Sequence, residues 1–161
     1  MARIDNDVRI TISVLDRLLD FEPEISQEPL ASRSRNLRQL KQSVRRDLEW
    51  LLNTRQYIEE IPSDLREVQR SVAAYGLPDF TATSIKNPSN QERLRRAIED
   101  EIRLFEPRLE AVIVTLVASN EKERAMQFRI EGQLRIDPMP EPVSFDTVLE
   151  SGSGHFTLQG D

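Results

Sequence analysis

Near Pro107 the spacing of apolar residues changes from about 3.6 to 2, and this change limits the possible folds more than any other feature of the chain. Upstream, Leu37, Leu40, Val44, Leu48, Leu51 and Ile58 form one helical stripe, which Pro62 and Ser63 are expected to end. A second helix is predicted from Asp64, with Glu67 completing a capping box and Leu65, Val68 and Val72 on its apolar face. Gly76 and Pro78, within YGLPDF, stop it. A third helix is predicted from Ser89, with Glu92 in the S-x-x-E position. It buries Leu94, Ile98, Ile102 and Phe105 and ends before Pro107. Downstream, LEAVIVTLV reads as a strand apolar on both faces, and therefore covered on both. In AMQFRIEGQLRI, Met126, Phe128, Ile130, Gly132, Leu134 and Ile136 alternate with polar residues. The stretch PVSFDTVL follows as a third strand. Helices first and strands second indicate an α+β domain: a three-helix layer on a three-stranded antiparallel β-meander, helices N-terminal and strands C-terminal.

A length of 161 residues suits one such domain, placed at residues 33–149. Residues 1–32 read as an amphipathic docking segment and linker, with Leu15, Leu18 and Leu19 at helical spacing. That segment either folds back on its own core or docks on a partner. Residues 150–161 are rich in Gly and Ser and read as a flexible tail. The N-terminus lacks the basic and apolar regions of a signal peptide. Direct membrane insertion is not expected: the longest nearly apolar run, residues 111–118, falls short of the about 20 residues a spanning helix needs.

Composition narrows the chemistry. With no Cys and one His, thiol nucleophiles, zinc–thiolate sites and Ser/His/Asp triads are not expected. A net charge of −6 argues against a globally basic nucleic-acid binder. Carboxylate catalysis stays formally open, but no pair of acids sits in an apolar pocket motif and no Gly-rich phosphate loop is present. The chain therefore reads as a non-enzyme without cofactor, metal, nucleic acid or small-molecule substrate.

Four features could serve a partner. Residues 33–46 contain Arg33, Arg35, Arg38, Lys41, Arg45 and Arg46 and no acid, and Arg38, Lys41 and Arg45 share one helical flank. This is either a solvated face or a seat for an acidic partner. Trp50 and Tyr57, seven residues apart on the same predicted helix, are either covered by other helices or exposed as aromatic anchors. At the helix-to-strand handover, Glu106 sits where a helix dipole disfavours an acid, which points to a cation holding it; Arg108 is near enough. Glu106, Pro107 and Arg108 thus form either an internally paired turn or a contact with another chain. In the second case Arg108→Ala loses the partner and keeps the fold. Finally, Val143, Phe145, Asp146 and Thr147 lie on the last predicted strand, a sheet edge that could accept another chain's strand.

Taken in order, RRDLEWLLNTR, YGLPDF, FEPRL and FRIEGQLRIDP with VSFDT resemble the TssE family, the small baseplate proteins of bacterial type VI secretion systems. That family is related to a small wedge protein of contractile-tail phage baseplates. The resemblance covers about residues 12–149, and SVLDRLLD is similar to the family's N-terminal segment. It implies a structural role in a cytoplasmic baseplate at the inner membrane. Glu106, Pro107 and Arg108 would contact the wedge formed by TssF- and TssG-type subunits. The C-terminal sheet would offer the first template for contractile sheath subunits. The family was once labelled lysozyme-like, so a peptidoglycan hydrolase is the named alternative, with a self-associating scaffold module as a third.

Overall fold

The computed structural model describes residues 14–18, 33–57, 61–80, 87–120, 125–150 and 152–159. Its helices are α1 (Val14–Leu18), α2 (Arg33–Asn53), α3 (Arg66–Gln69) and α4 (Pro88–Phe105), with a 3-10 turn at Val72–Ala74. Four strands follow: β1 (Leu109–Asn120), β2 (Ala125–Leu134), β3 (Glu141–Glu150) and β4 (Phe156–Gln159). They form one antiparallel sheet in the order β1-β2-β3-β4. The α+β order of helices then strands is as the periodicity indicates. The sheet, however, has four strands rather than three. The fourth comes from the Gly/Ser-rich end, because the turn before it lets Phe156 and Leu158 alternate into the core.

α2 and α4 supply one side of the core through Leu48, Leu52, Leu94, Ile98 and Ile102, and the sheet supplies the other through Phe128, Phe145 and Phe156. The alternation in β2 is observed, with Met126, Phe128, Ile130 and Leu134 buried. β1 departs from expectation. Its inner residues Val112 and Val114 are buried, but Ile113 and Val117 on the outer face are 56% and 50% exposed. The helices cover one face only.

The helical layer is also shorter than the pattern suggests. α2 ends at Asn53, before Pro62, because side chains take over its last carbonyls. Asn53 Nδ2 bonds the Glu49 carbonyl and Thr54 Oγ1 the Trp50 carbonyl. The chain then turns beside Leu77, with Gln56 N donating to Leu77 O and Leu77 N to Thr54 O. Gly76 makes this approach possible. Its φ is 107°, and a Cβ there would lie 2.6 Å from Thr54 O. Ile58 lies outside the described residues. The second predicted helix shrinks to the single turn of α3 and the 3-10 turn, and no side chain caps α3. Leu65 and Val72 are exposed at 45% and 88%, so no apolar face holds a longer helix. The cap of α4 lies two residues earlier than the predicted cap, Ser89. Asn87 is its cap, Pro88 takes the first position, and Glu92 pairs with Arg95 and Arg96 instead of closing a capping box.

Candidate functional site

The turn from α4 to β1 carries the densest polar cluster. Glu106 ends α4, and its carboxylate is buried at 4% exposure. Arg108 holds it by two charge-assisted bonds, Nε to Oε1 at 2.6 Å and Nη2 to Oε2, while the Arg108 main-chain N–H also donates to Oε1 at 3.2 Å. The same guanidinium reaches across to α2, donating to Ser43 Oγ at 3.0 Å and to Asp47 Oδ2. Burial opposes the guanidinium charge, but Glu106 and then Asp47 outweigh it and hold Arg108 above its ordinary pKa. Asp47 is held from the other side by Arg46, which also lies over the Trp50 ring at 5.2 Å.

This cluster underlies an open groove of about 460 Å³. Its apolar walls are Trp50, Leu51, Tyr75, Phe105 and Pro107. Tyr75 and Phe105 meet edge to face with centroids 5.2 Å apart. Burial first, then the charges of Asp47 and Glu106, raise the Tyr75 pKa, so the phenol stays neutral. Trp50 is 54% exposed at the rim.

Glu106, Pro107 and Arg108 do come together, and the cation expected beside Glu106 is Arg108. Its partners include Ser43 and Asp47, which the sequence pattern does not single out; their places 65 and 61 residues upstream leave no spacing signal. The residues suggested as one partner surface, Arg38, Lys41, Arg45, Trp50 and Tyr57, do not form one. Trp50 lies with Asp47 on the flank of α2 that lines the groove. By helical spacing Arg38, Lys41 and Arg45 fall on the opposite flank, where Lys41 Nζ lies 3.9 Å from Glu141 of β3. Tyr57 lies beyond the end of α2, 94% exposed. In α1, Leu15 and Leu18 are exposed, and Leu19 lies outside the described residues.

The strand taken as a sheet edge is only partly one. β4 pairs with Asp146, Thr147, Val148 and Leu149; on that side residues 141–145, which include Val143 and Phe145, have no strand partner among the described residues. Val143, Phe145 and Thr147 turn their side chains into the core, and their main-chain groups face β2, opposite Gly132, Ile130 and Phe128.

A protein-family model described as baseplate wedge protein gp25 matches residues 38–139. A chain of a solved structure titled "The baseplate complex from the type VI secretion system" is similar at a TM-score of 0.49 and 20% identity, over 69% of this chain and 94% of that one. No curated protein matches.

Proposed function

Since the chain belongs to the gp25 family of baseplate wedge proteins, we propose that it is the TssE-type component of a type VI secretion baseplate. It joins the wedge through the groove at the α4–β1 turn and seeds the contractile sheath through its sheet. The order of RRDLEWLLNTR, YGLPDF, FEPRL and FRIEGQLRIDP supports the type VI assignment. The observation that carries the docking site is the groove itself: an exposed Trp50 at the rim of apolar walls that a buried ion cluster holds in place. Half-exposed aromatic anchors of this kind dominate the energy of protein interfaces. Arg108 acts from inside. Its guanidinium is committed to Glu106, Asp47 and Ser43, so it shapes the groove rather than gripping the partner.

The role is structural. Asp47 and Glu106 are the acids nearest the groove, and both are salt-bridged to Arg108. Neither is available as a general acid or base, which speaks against the glycosidase alternative. No helix among the described residues is long and apolar enough to cross a membrane. The proposed location is the cytoplasmic side of the inner membrane, within the assembled baseplate.

Co-purification with TssF- and TssG-type subunits tests the docking site. The wild-type chain should co-elute with them, and Trp50→Ala should lose the complex while keeping its circular dichroism spectrum and unfolding midpoint. Full association of the Trp50→Ala chain would remove the groove from the interface.

A further inference from the structure

One acid on α4 is left without a partner. Glu101 Oε2 is shut away from solvent and makes no hydrogen bond. Buried polar atoms are nearly always satisfied, because each unpaired one lowers stability. A leucine here would widen the apolar stripe of Leu94, Ile98 and Ile102 without that penalty. Burial first, then the charge of Asp100, push the Glu101 pKa up to about 7, as expected of a carboxylate with no cation beside it.

The cations around it are committed elsewhere. Arg95 and Arg103 both bind Glu99 at 2.7 Å and donate to Val114 O and Val112 O on the outer edge of β1, where Glu99 Oε2 accepts from Val114 N at 3.1 Å. Arg96 pairs with Glu92 at 2.7 Å. Arg108 is divided among Glu106, Asp47 and Ser43. Arg93, eight residues before Glu101, is about 12 Å away along the helix axis. Residues three and four apart on a helix are neighbours, so Glu101 adjoins Leu104 and Phe105. Phe105 forms a wall of the groove at the α4–β1 turn, and Leu104 is exposed. The unpaired carboxylate therefore lies one helical turn from the apolar wall of the groove.

We infer that the groove selects a partner segment whose apolar stretch is flanked by a basic side chain, and that this side chain pairs with Glu101 when the segment docks. The free chain holds a carboxylate without its cation, and the bound chain gains one. An arginine suits the place best, since its planar guanidinium grips a carboxylate by two bonds and stacks on an aromatic ring such as Phe105. Trp50 supplies apolar contact, whereas Glu101 sets which segment fits, because a segment lacking the cation leaves the carboxylate unpaired. The inference rests on the groove being the wedge-docking site, as proposed above.

The test is calorimetric titration of the full chain with the purified TssF- and TssG-type subunits at pH 8. Glu101→Gln, which keeps the size and removes the charge, should weaken binding about tenfold. Glu101→Leu should also weaken it while raising the urea midpoint of the free chain, so that the loss is not one of folding. Asp100→Asn makes the same charge change at the next residue, where the side chain is 75% exposed, and should leave affinity within about twofold of wild type. Wild-type affinity in both Glu101 variants, or an equal loss in Asp100→Asn, overturns the inference and leaves the groove assignment standing. If the wild-type chain does not bind these subunits, or Trp50→Ala binds them at full strength, the docking site itself fails and the inference falls with it.

Discussion

Arg108 stands between a buried glutamate and a half-buried aspartate, so its removal and its replacement have different costs. Arg108→Ala leaves the Glu106 carboxylate buried without its cation, and denaturant unfolding should show a loss of about 3–5 kcal/mol. Converting the pair together, Glu106→Leu with Arg108→Met, should recover most of that loss, because apolar replacements remove the stranded charge. Trp50→Ala is the opposite case. At 54% exposure it should change stability by less than about 0.5 kcal/mol yet weaken wedge binding by about 2 kcal/mol, read by calorimetric titration. Part of this site is legible in the chain. An acid at a helix C-terminus, beside a proline and two residues from an arginine, announces a paired turn. Of the two readings of the turn, the internal pairing is the one the structure shows: Ser43 and Asp47, one turn apart on α2, draw Arg108 in. Nothing in the sequence marks them as its partners.

At the scale of elements, two side-chain seals control the strands. Asn53 supplies both a donor and an acceptor to Phe156 and so ties the end of α2 to β4. Asn53→Ala should speed amide exchange at Phe156 and Leu158 and cost about 1–3 kcal/mol, while exchange in β2 changes less. Glu99 seals the other side. Burial works against its charge, but the Val114 N–H and the two arginines outweigh it and lower its pKa. Glu99→Ala should expose the β1 edge, and sedimentation velocity should then detect edge-to-edge dimers at high protein concentration. The helices that follow their periodicity, α2 through Leu52 and α4 throughout, are those whose stripes meet the sheet. The predicted helix at 64–74 has an equally regular stripe, but no neighbour covers Leu65 or Val72, and the pattern alone cannot hold it. The fourth strand is hidden by composition: Gly and Ser in SGSGH signal a loop, and only the pairing with β3 gives Phe156 and Leu158 a face to bury.

For the molecule as a whole, acid–base linkage should show opposite slopes in two ranges of pH. Glu101 on α4 is half-buried, and its Oε2 has no hydrogen-bond partner. Burial first, and the charge of Asp100 second, raise its pKa from 4.5 to about 7. Its folded value lies above its unfolded one, so ionisation subtracts stability as pH climbs from about 4.5 through 7. Glu92, held by Arg95 and Arg96, is lowered to about 2, and Glu99 is lowered as well. Their contributions are present above about 4.5 and are lost as pH falls through their folded values. Urea midpoints at pH 5 and pH 8 should therefore differ less in Glu101→Gln than in the wild-type chain. An unchanged difference would place the alkaline slope elsewhere.

The bond between Asn53 and Phe156 also has a consequence in time. It joins residues 103 positions apart, near the start and the end of the described fold. Contacts this distant slow folding, since a long loop must close before they return any energy. A chain emerging from the ribosome has α2 formed long before the strand that completes it exists. Until β4 has emerged, α2 presents an unfinished apolar face to its surroundings. Cells making this protein should therefore depend on chaperone binding to the nascent chain more than its modest size suggests.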